Sequence, residues 1–224
     1  MRTTRISLPL ALLLILLLSG MSVYAMEGTL TYFAGTVTVQ RGDRTLQGEI
    51  GMIILEGDVI ATGHATTAIV SLAGDADIKL RSDTTLDMAS LDDDVKVRLR
   101  SGSIFSKVRR KLLKSYTLQA DTVLAGVRGT EFFVAYGRTV DARPDIWLCV
   151  NEGSVEVAVP ESGQRTVVKE GEGINVLAGV KLTKPKEYAW TRDLNWNSDP
   201  RTGEVQDNTN LDQAYSDLLD QDYD

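Results

Sequence analysis

The chain is poor in the residues from which most catalytic and metal centres are built. One histidine, His64, and one cysteine, Cys149, stand in 224 residues. A lone histidine excludes the common histidine-rich metal sites and leaves no second imidazole for acid–base work. It falls in Thr62-Gly63-His64-Ala65-Thr66, a loop pattern. A lone cysteine excludes an internal disulfide framework. Cys149 lies within Ile146-Trp147-Leu148-Cys149-Val150, which reads as a strand carrying a buried thiol. No nucleophile-elbow motif occurs. Gly126-Val127-Arg128-Gly129-Thr130 lacks the Gly-Lys-(Ser/Thr) ending of a phosphate loop and the helix that should follow it. Asp92-Asp93-Asp94, Asp75 and Asp77 lack the looped spacing and closing glutamate of a calcium site, so they read as acidic turns, and Asp83 and Asp87 add nothing to them. The expectation is a protein without catalytic residues, metal or cofactor.

Long apolar runs are also scarce. One stands out, Leu8–Leu18, interrupted by Pro9 and preceded by Arg2 and Arg5. Val23-Tyr24-Ala25 follows with compact residues at the −3 and −1 positions, so residues 1–25 read as a secretory signal peptide cut after Ala25. The run is short for a membrane span, and a retained anchor is the alternative. A periplasmic or secreted protein with no integral membrane span after cleavage is expected.

The formal net charge is −7, and it is unevenly spread. The segment 199–224 has eight acids against one base, Arg201, and accounts for −7 by itself. Its composition predicts a flexible acidic tail, in which Leu211, Tyr215, Leu218 and Leu219 leave room for a short helix that folds on a partner. Overall acidity therefore says nothing of what the body of the chain binds.

What is abundant is the beat of short β runs and turns. Thr36–Gln40, Val59-Ile60, Ala68–Leu72, Asp77–Arg81, Val95–Arg100, Val150–Val159, Arg165–Lys169 and Ile174–Leu182 read as strands separated by turns rich in Gly and Asp. This argues an all-β domain over 26–198, with a core of about 28–182 and a short helical extension starting at Pro185. A Gly-(Ser/Thr)-β-branched pattern recurs at Gly35-Thr36-Val37, Gly102-Ser103-Ile104 and Gly153-Ser154-Val155. Such Gly-led starts suit stacked strands in a solenoid-like or sandwich arrangement, with a glycine turning each corner. Ser106–Ser115 fits either a short amphipathic turn or a basic loop.

Within Tyr116–Gly137, the apolar runs Tyr116–Leu124 and Phe132–Tyr136 read as strands around a tight turn at Ala125–Thr130. Gly126 and Gly129 permit the turn, and Arg128 is expected to fork onto carboxylates or carbonyls that fix it. The segment marks the junction between two β units.

Several stretches in this order resemble a FecR domain. They are Gly57-Asp58-Val59-Ile60-Ala61-Thr62-Gly63, Leu99-Arg100-Ser101-Gly102-Ser103-Ile104, Val127-Arg128-Gly129-Thr130-Glu131-Phe132 and Asn151-Glu152-Gly153-Ser154-Val155. The signature positions are Gly57, Asp58, Gly126, Arg128, Gly129, Thr130 and Phe132. The resemblance implies an envelope module without catalysis. The regulator that names the family also has a cytoplasmic anti-sigma segment and a transmembrane helix, which only five residues before Ile6 do not supply here. The sigma-binding role is therefore not expected of this chain.

Lys96, Arg98, Arg100, Lys107, Arg109, Arg110, Lys111 and Lys114 follow one another with no acid between them. On an exported protein such a patch would meet an envelope protein or an anionic wall or surface polymer rather than nucleic acid. The sequence thus points to an exported envelope binding or scaffold module. A sensor or regulatory subunit with separate membrane-bound partners is the alternative.

Overall fold

The computed structural model describes residues 27–211 apart from 73, 110–112, 128 and 141–142. The chain builds two sheets, A and B, by passing hairpins from one to the other. β1 (Gly28–Ala34) opens sheet A, and β2 (Val37–Arg41) with β3 (Arg44–Gln47) opens sheet B. β4 (Ile53–Ile54) returns to A and β5 (Val59–Thr62) to B. The hairpin β6 (Thr67–Leu72) and β7 (Ala76–Leu80) lies in A, followed by β8 (Thr85–Ser90) and β9 (Asp94–Ser101) in B. β10 (Ser103–Val108) crosses to A alone. β11 (Ser115–Ala120) and β12 (Val123–Val127) belong to B, then β13 (Thr130–Val140) and β14 (Arg143–Glu152) to A. β15 (Ser154–Val159) and β16 (Gln164–Lys169) close B, while β17 (Glu172–Leu177), β18 (Lys181–Leu182) and β19 (Lys186–Glu187) close A.

Ladder pairs among the described residues are antiparallel except β9 with β11. The exception has a simple cause. A single strand, β10, separates them in the chain, so β11 re-enters sheet B running the same way as β9.

The period of two along each strand sends alternate side chains between the sheets. Val95, Val97 and Leu99 of β9, for example, meet Ile78 and Leu80 of β7 and Ile104 of β10 in one buried core, each burial stabilising by about 1.5–3 kcal/mol. Polar atoms inside this core are paired. The Tyr116 hydroxyl of sheet B lies 3.1 Å from Ser106 Oγ of sheet A, and its burial pushes its pKa well above the ordinary value. Tyr136 donates to the Leu99 carbonyl at 3.0 Å, a second polar link between the layers.

The crossings between sheets share one device. Gly35, Gly102 and Gly153 turn the corners from β1 to β2, β9 to β10 and β14 to β15, all with positive φ (104°, 81° and 84°). Each glycine packs on a threonine of a neighbouring corner, namely Thr66, Thr84 and Thr130. The hydroxyl then satisfies the backbone just past the glycine. Thr36 N donates to Thr66 Oγ1 at 2.9 Å and Ser103 N to Thr84 Oγ1 at 3.0 Å, while Thr130 Oγ1 donates to the Ser154 carbonyl at 3.0 Å. All three threonines are buried. The Gly-(Ser/Thr) recurrence in the sequence is this set of corners.

Three expectations are corrected. Tyr116–Leu124 is not one strand, because Asp121 adopts positive φ (50°) and turns β11 into β12. Aspartate tolerates that conformation through its short polar side chain. Gly126 consequently sits inside β12, with no positive φ, while Gly129, between β12 and β13, has φ 67°. Val150–Val159 is likewise broken by the Gly153 corner. The extension after Pro185 forms β19 and a 3₁₀ turn, Ala189–Arg192, instead of a helix reaching back to Pro185.

A Cβ at Gly35 or Gly102 would collide with the threonine hydroxyl, and at Gly153 it would come within 2.8 Å of the Gly129 carbonyl. Gly42, also at positive φ (57°), faces open space. Gly102→Ala and Gly153→Ala should each lower unfolding free energy by about 2–4 kcal/mol, through backbone strain plus overpacking. Gly42→Ala should cost only about 1 kcal/mol. Denaturant unfolding of the three variants checks the ranking.

Candidate functional site

The outward face of sheet A is covered along its middle. One row crosses the sheet at right angles to its strands through directly opposed residues: Ile69, Lys79, Phe105, Phe133, Cys149 and Gly173. Phe105 and Phe133 are 4.5 Å apart by ring centroid, and Trp147 meets Phe133 edge-on at 5.3 Å. The C-terminal segment 188–211 lies over this row as a strap. Tyr188 packs on Gly173, where a Cβ would come within 2.8 Å of its ring. Trp196 stands edge-on to Phe105 at 5.1 Å, and Leu194 joins the same apolar cluster. This cover explains why Ile146–Val150 of β14 is buried on both faces.

The strap is held by two cations through its main chain. Lys79, buried in mid-sheet, donates to the carbonyls of Asn195 and Asn197, the latter at 2.8 Å, and its Nζ lies 4.2 Å from the Phe105 ring centre. Burial pulls its pKa down to about 8, with Arg81 adding to the fall and the charges of Asp207 and Glu131 opposing it. Arg81, the next outward residue, donates to the carbonyls of Thr209 at 2.8 Å and Asp207 at 3.2 Å and pairs with the Asp207 carboxylate at 3.4 Å. Val205 and Asp207 are buried, so the expected flexible tail from Asp199 is anchored through its first part, and residues 212–224 lie outside the described residues. Cys149 lies beneath the strap as a fully buried thiol whose pKa burial pushes up.

Beside the strap runs a charged row, Asp77, Lys107 and Glu131, on adjacent strands. Arg109 pairs with Asp77 at 2.5 Å, Lys107 with Glu131 at 3.1 Å, and Asn151 donates to Glu131 at 2.5 Å. An open groove of about 700 Å³ lies between this row and the 196–202 turn, lined among others by Thr31, Ser71, Lys107, Arg109 and Trp196.

The predicted basic patch is divided by the fold. Lys96, Arg98 and Arg100 form a ladder on the exposed outer face of sheet B, where Arg100 meets Asp87 at 2.6 Å and Arg98 at 3.9 Å. Lys107 and Arg109 belong to the outer face of sheet A, and Lys114 pairs with Asp93 in the connection between them. Arg110 and Lys111 lie outside the described residues, as does Arg128. Of the signature positions, Thr130 and Phe132 are buried, with Phe132 edge-on to Tyr116 at 6.3 Å. Asp58 is buried and accepts two bonds from Arg41 at 2.8 and 2.6 Å and one from Leu55 N at 2.9 Å, tying the Gly57 turn to β2. His64 stays exposed in its turn. Among the described residues no three His, Cys, Asp or Glu side chains converge as metal ligands would, and no helix is long and apolar enough to cross a membrane.

Two open sheets that exchange hairpins, one face strapped and the other bare, define an all-β domain of the two-sheet kind. Residues 58–156, from the Asp58 turn to β15, match the family described as FecR protein. Two crystal structures of a protein provisionally assigned as an anti-sigma factor from Parabacteroides distasonis share the fold, with TM-scores of 0.50 and 0.51 at 22% identity. In each case the match covers 60% of this chain and 62% of the other. No curated protein matches the chain.

Lys79 gives the strap a pH signature. Its folded pKa of about 8 lies below the ordinary 10.5, so the penalty for burying its charge is present in full below pH 8. Between pH 8 and 10.5 the unfolded chain holds the proton while the folded chain releases it, and stability rises with pH by up to about 3 kcal/mol. Relative to Lys79→Met, the wild type should gain stability across that window. Paired denaturation series at pH 7.5 and 10 measure the difference.

Proposed function

We propose that the chain is an exported, non-catalytic regulatory module of the cell envelope that acts by binding a separate protein partner. The basic ladder on the bare face of sheet B carries this reading. Lys96, Arg98 and Arg100 alternate with core residues along β9, which puts three cations in line about 7 Å apart on an uncovered surface. A surface of that kind meets an acidic partner by steering and charge pairing, and holds no group for bond chemistry. The match to the FecR family over the span containing β9, and the shared fold with a protein provisionally assigned as an anti-sigma factor, support a regulatory use over a passive scaffold. The N-terminal run that reads as a signal peptide supports export. Binding of a wall polymer through the same ladder would instead make the module a scaffold.

Pull-down from envelope extract separates the two. Capture by the wild type should be lost when the extract is first treated with protease, whereas a polymer would survive. Lys96→Glu with Arg98→Glu, which leaves the Arg100–Asp87 pair intact, should weaken capture at least about tenfold and flatten its salt dependence. Undiminished capture by this variant would remove the ladder from the interface.

A further inference from the structure

The strap occupies its channel in an unusual manner. Its polar anchoring runs largely from two side chains of the sheet to four main-chain carbonyls: Lys79 to Asn195 and Asn197, and Arg81 to Asp207 and Thr209. Carbonyls are common to every peptide, so this anchoring selects an extended backbone more than a sequence. Side-chain selection falls to the aromatic row, where Trp196 fills the place against Phe105 and Leu194 follows it. The channel is also open at one end. Trp196 and Asn197 line the 700 Å³ groove as well as the strap's own seat, so a second segment could enter from the groove and advance along the row.

We propose that the outer face of sheet A is a peptide-binding channel, filled in this chain by its own residues 188–211, and that an extended segment of a partner protein takes the same seat when the strap lifts. The occupant is an extended peptide with an aromatic anchor flanked by short polar residues, as in Leu194-Asn195-Trp196-Asn197. Its carbonyls replace those of Asn195 and Asn197 on Lys79, and its aromatic ring replaces Trp196 on Phe105. The buried ammonium of Lys79 enforces exchange over simple release, because an empty channel would leave it without acceptors in an apolar setting. The strap and the incoming segment are therefore alternative ligands for one site. This surface is separate from the ladder of sheet B, so either assignment can fail without the other.

The probe is a fluorescently labelled synthetic peptide of residues 188–211, titrated into the full chain and into the full-chain variant Leu194→Ser with Trp196→Ser, whose strap is weakened. Saturable binding to the variant, at least tenfold tighter than to the wild type and lost on adding Lys79→Met or Arg81→Gln, is expected. No binding by a variant that still unfolds cooperatively would overturn the proposal, as would binding indifferent to Lys79 and Arg81. A concentration-dependent dimer of the variant without peptide uptake would assign the channel to a second copy's strap and also overturn it. Should the variant fail to fold, hydrogen exchange of the wild type decides. Amides of 193–211 should exchange well before those of β10 and β13, and exchange as slow as in those strands would mean that the seat never opens.

Discussion

Everything in this fold depends on getting the chain cleanly from one sheet to the other. A chain that passes hairpins between two open sheets crosses from one to the other between successive hairpins, and each crossing leaves amides that the ladders cannot satisfy. The glycine–threonine corners meet that constraint. A glycine at positive φ lets neighbouring crossings nest, and the threonine beneath it supplies a hydroxyl where the ladder is interrupted, as Thr84 does for both the amide and the carbonyl of Ser103. Thr62 extends the same network, accepting from Thr84 N at 2.9 Å and donating to the Arg81 carbonyl at 2.6 Å. Because Arg81 leaves that corner to hold the strap, the geometry of the corners is transmitted directly to the outer face of sheet A.

The two outer faces then diverge in chemistry. Sheet A carries aromatic residues on adjacent strands, which would form an exposed apolar surface if left bare. The strap covers it, and Lys79 is the cost of that cover: a cation taken out of water and compensated by two carbonyls and a ring face. Sheet B faces solvent with short, polar and charged residues such as Thr117, Gln119 and Glu156 around the β9 ladder. A domain with one face closed by its own chain and one open is suited to recognition.

Much of this was legible in the sequence. The alternation in Val95–Arg100 assigns both the buried and the basic face of β9, and the Gly-(Ser/Thr) recurrence marks the corners, though not their threonine partners. What escaped was non-local or conformationally ambiguous. Asp121 sits between Ala120 and Thr122 in a run that alternates apolar and polar residues, and nothing in that pattern announces a left-handed residue. The basic stretch looked continuous because its members are close in sequence, yet β10 carries Lys107 and Arg109 to the opposite layer. The strap was missed because 188–211 is mostly polar and held through carbonyls, which have no sequence signal. An indirect trace existed: the unbroken apolar runs Phe132–Tyr136 and Ile146–Val150 require cover on both faces of the sheet, and Leu194 with Trp196 was available to provide it.

The closure of sheet A by the strap is the central claim, and the chain's one cysteine reports on it directly. Cys149 is wholly buried beneath the strap in mid-sheet. Its rate of reaction with a thiol reagent, followed in the native full-length protein over low denaturant concentrations, measures how the cover opens. The account predicts a thiol that is strongly protected and becomes reactive through an opening with a shallower denaturant dependence than global unfolding. A thiol that reacts at once at the rate of an exposed cysteine would contradict it, and so would one that reacts only as the whole domain unfolds.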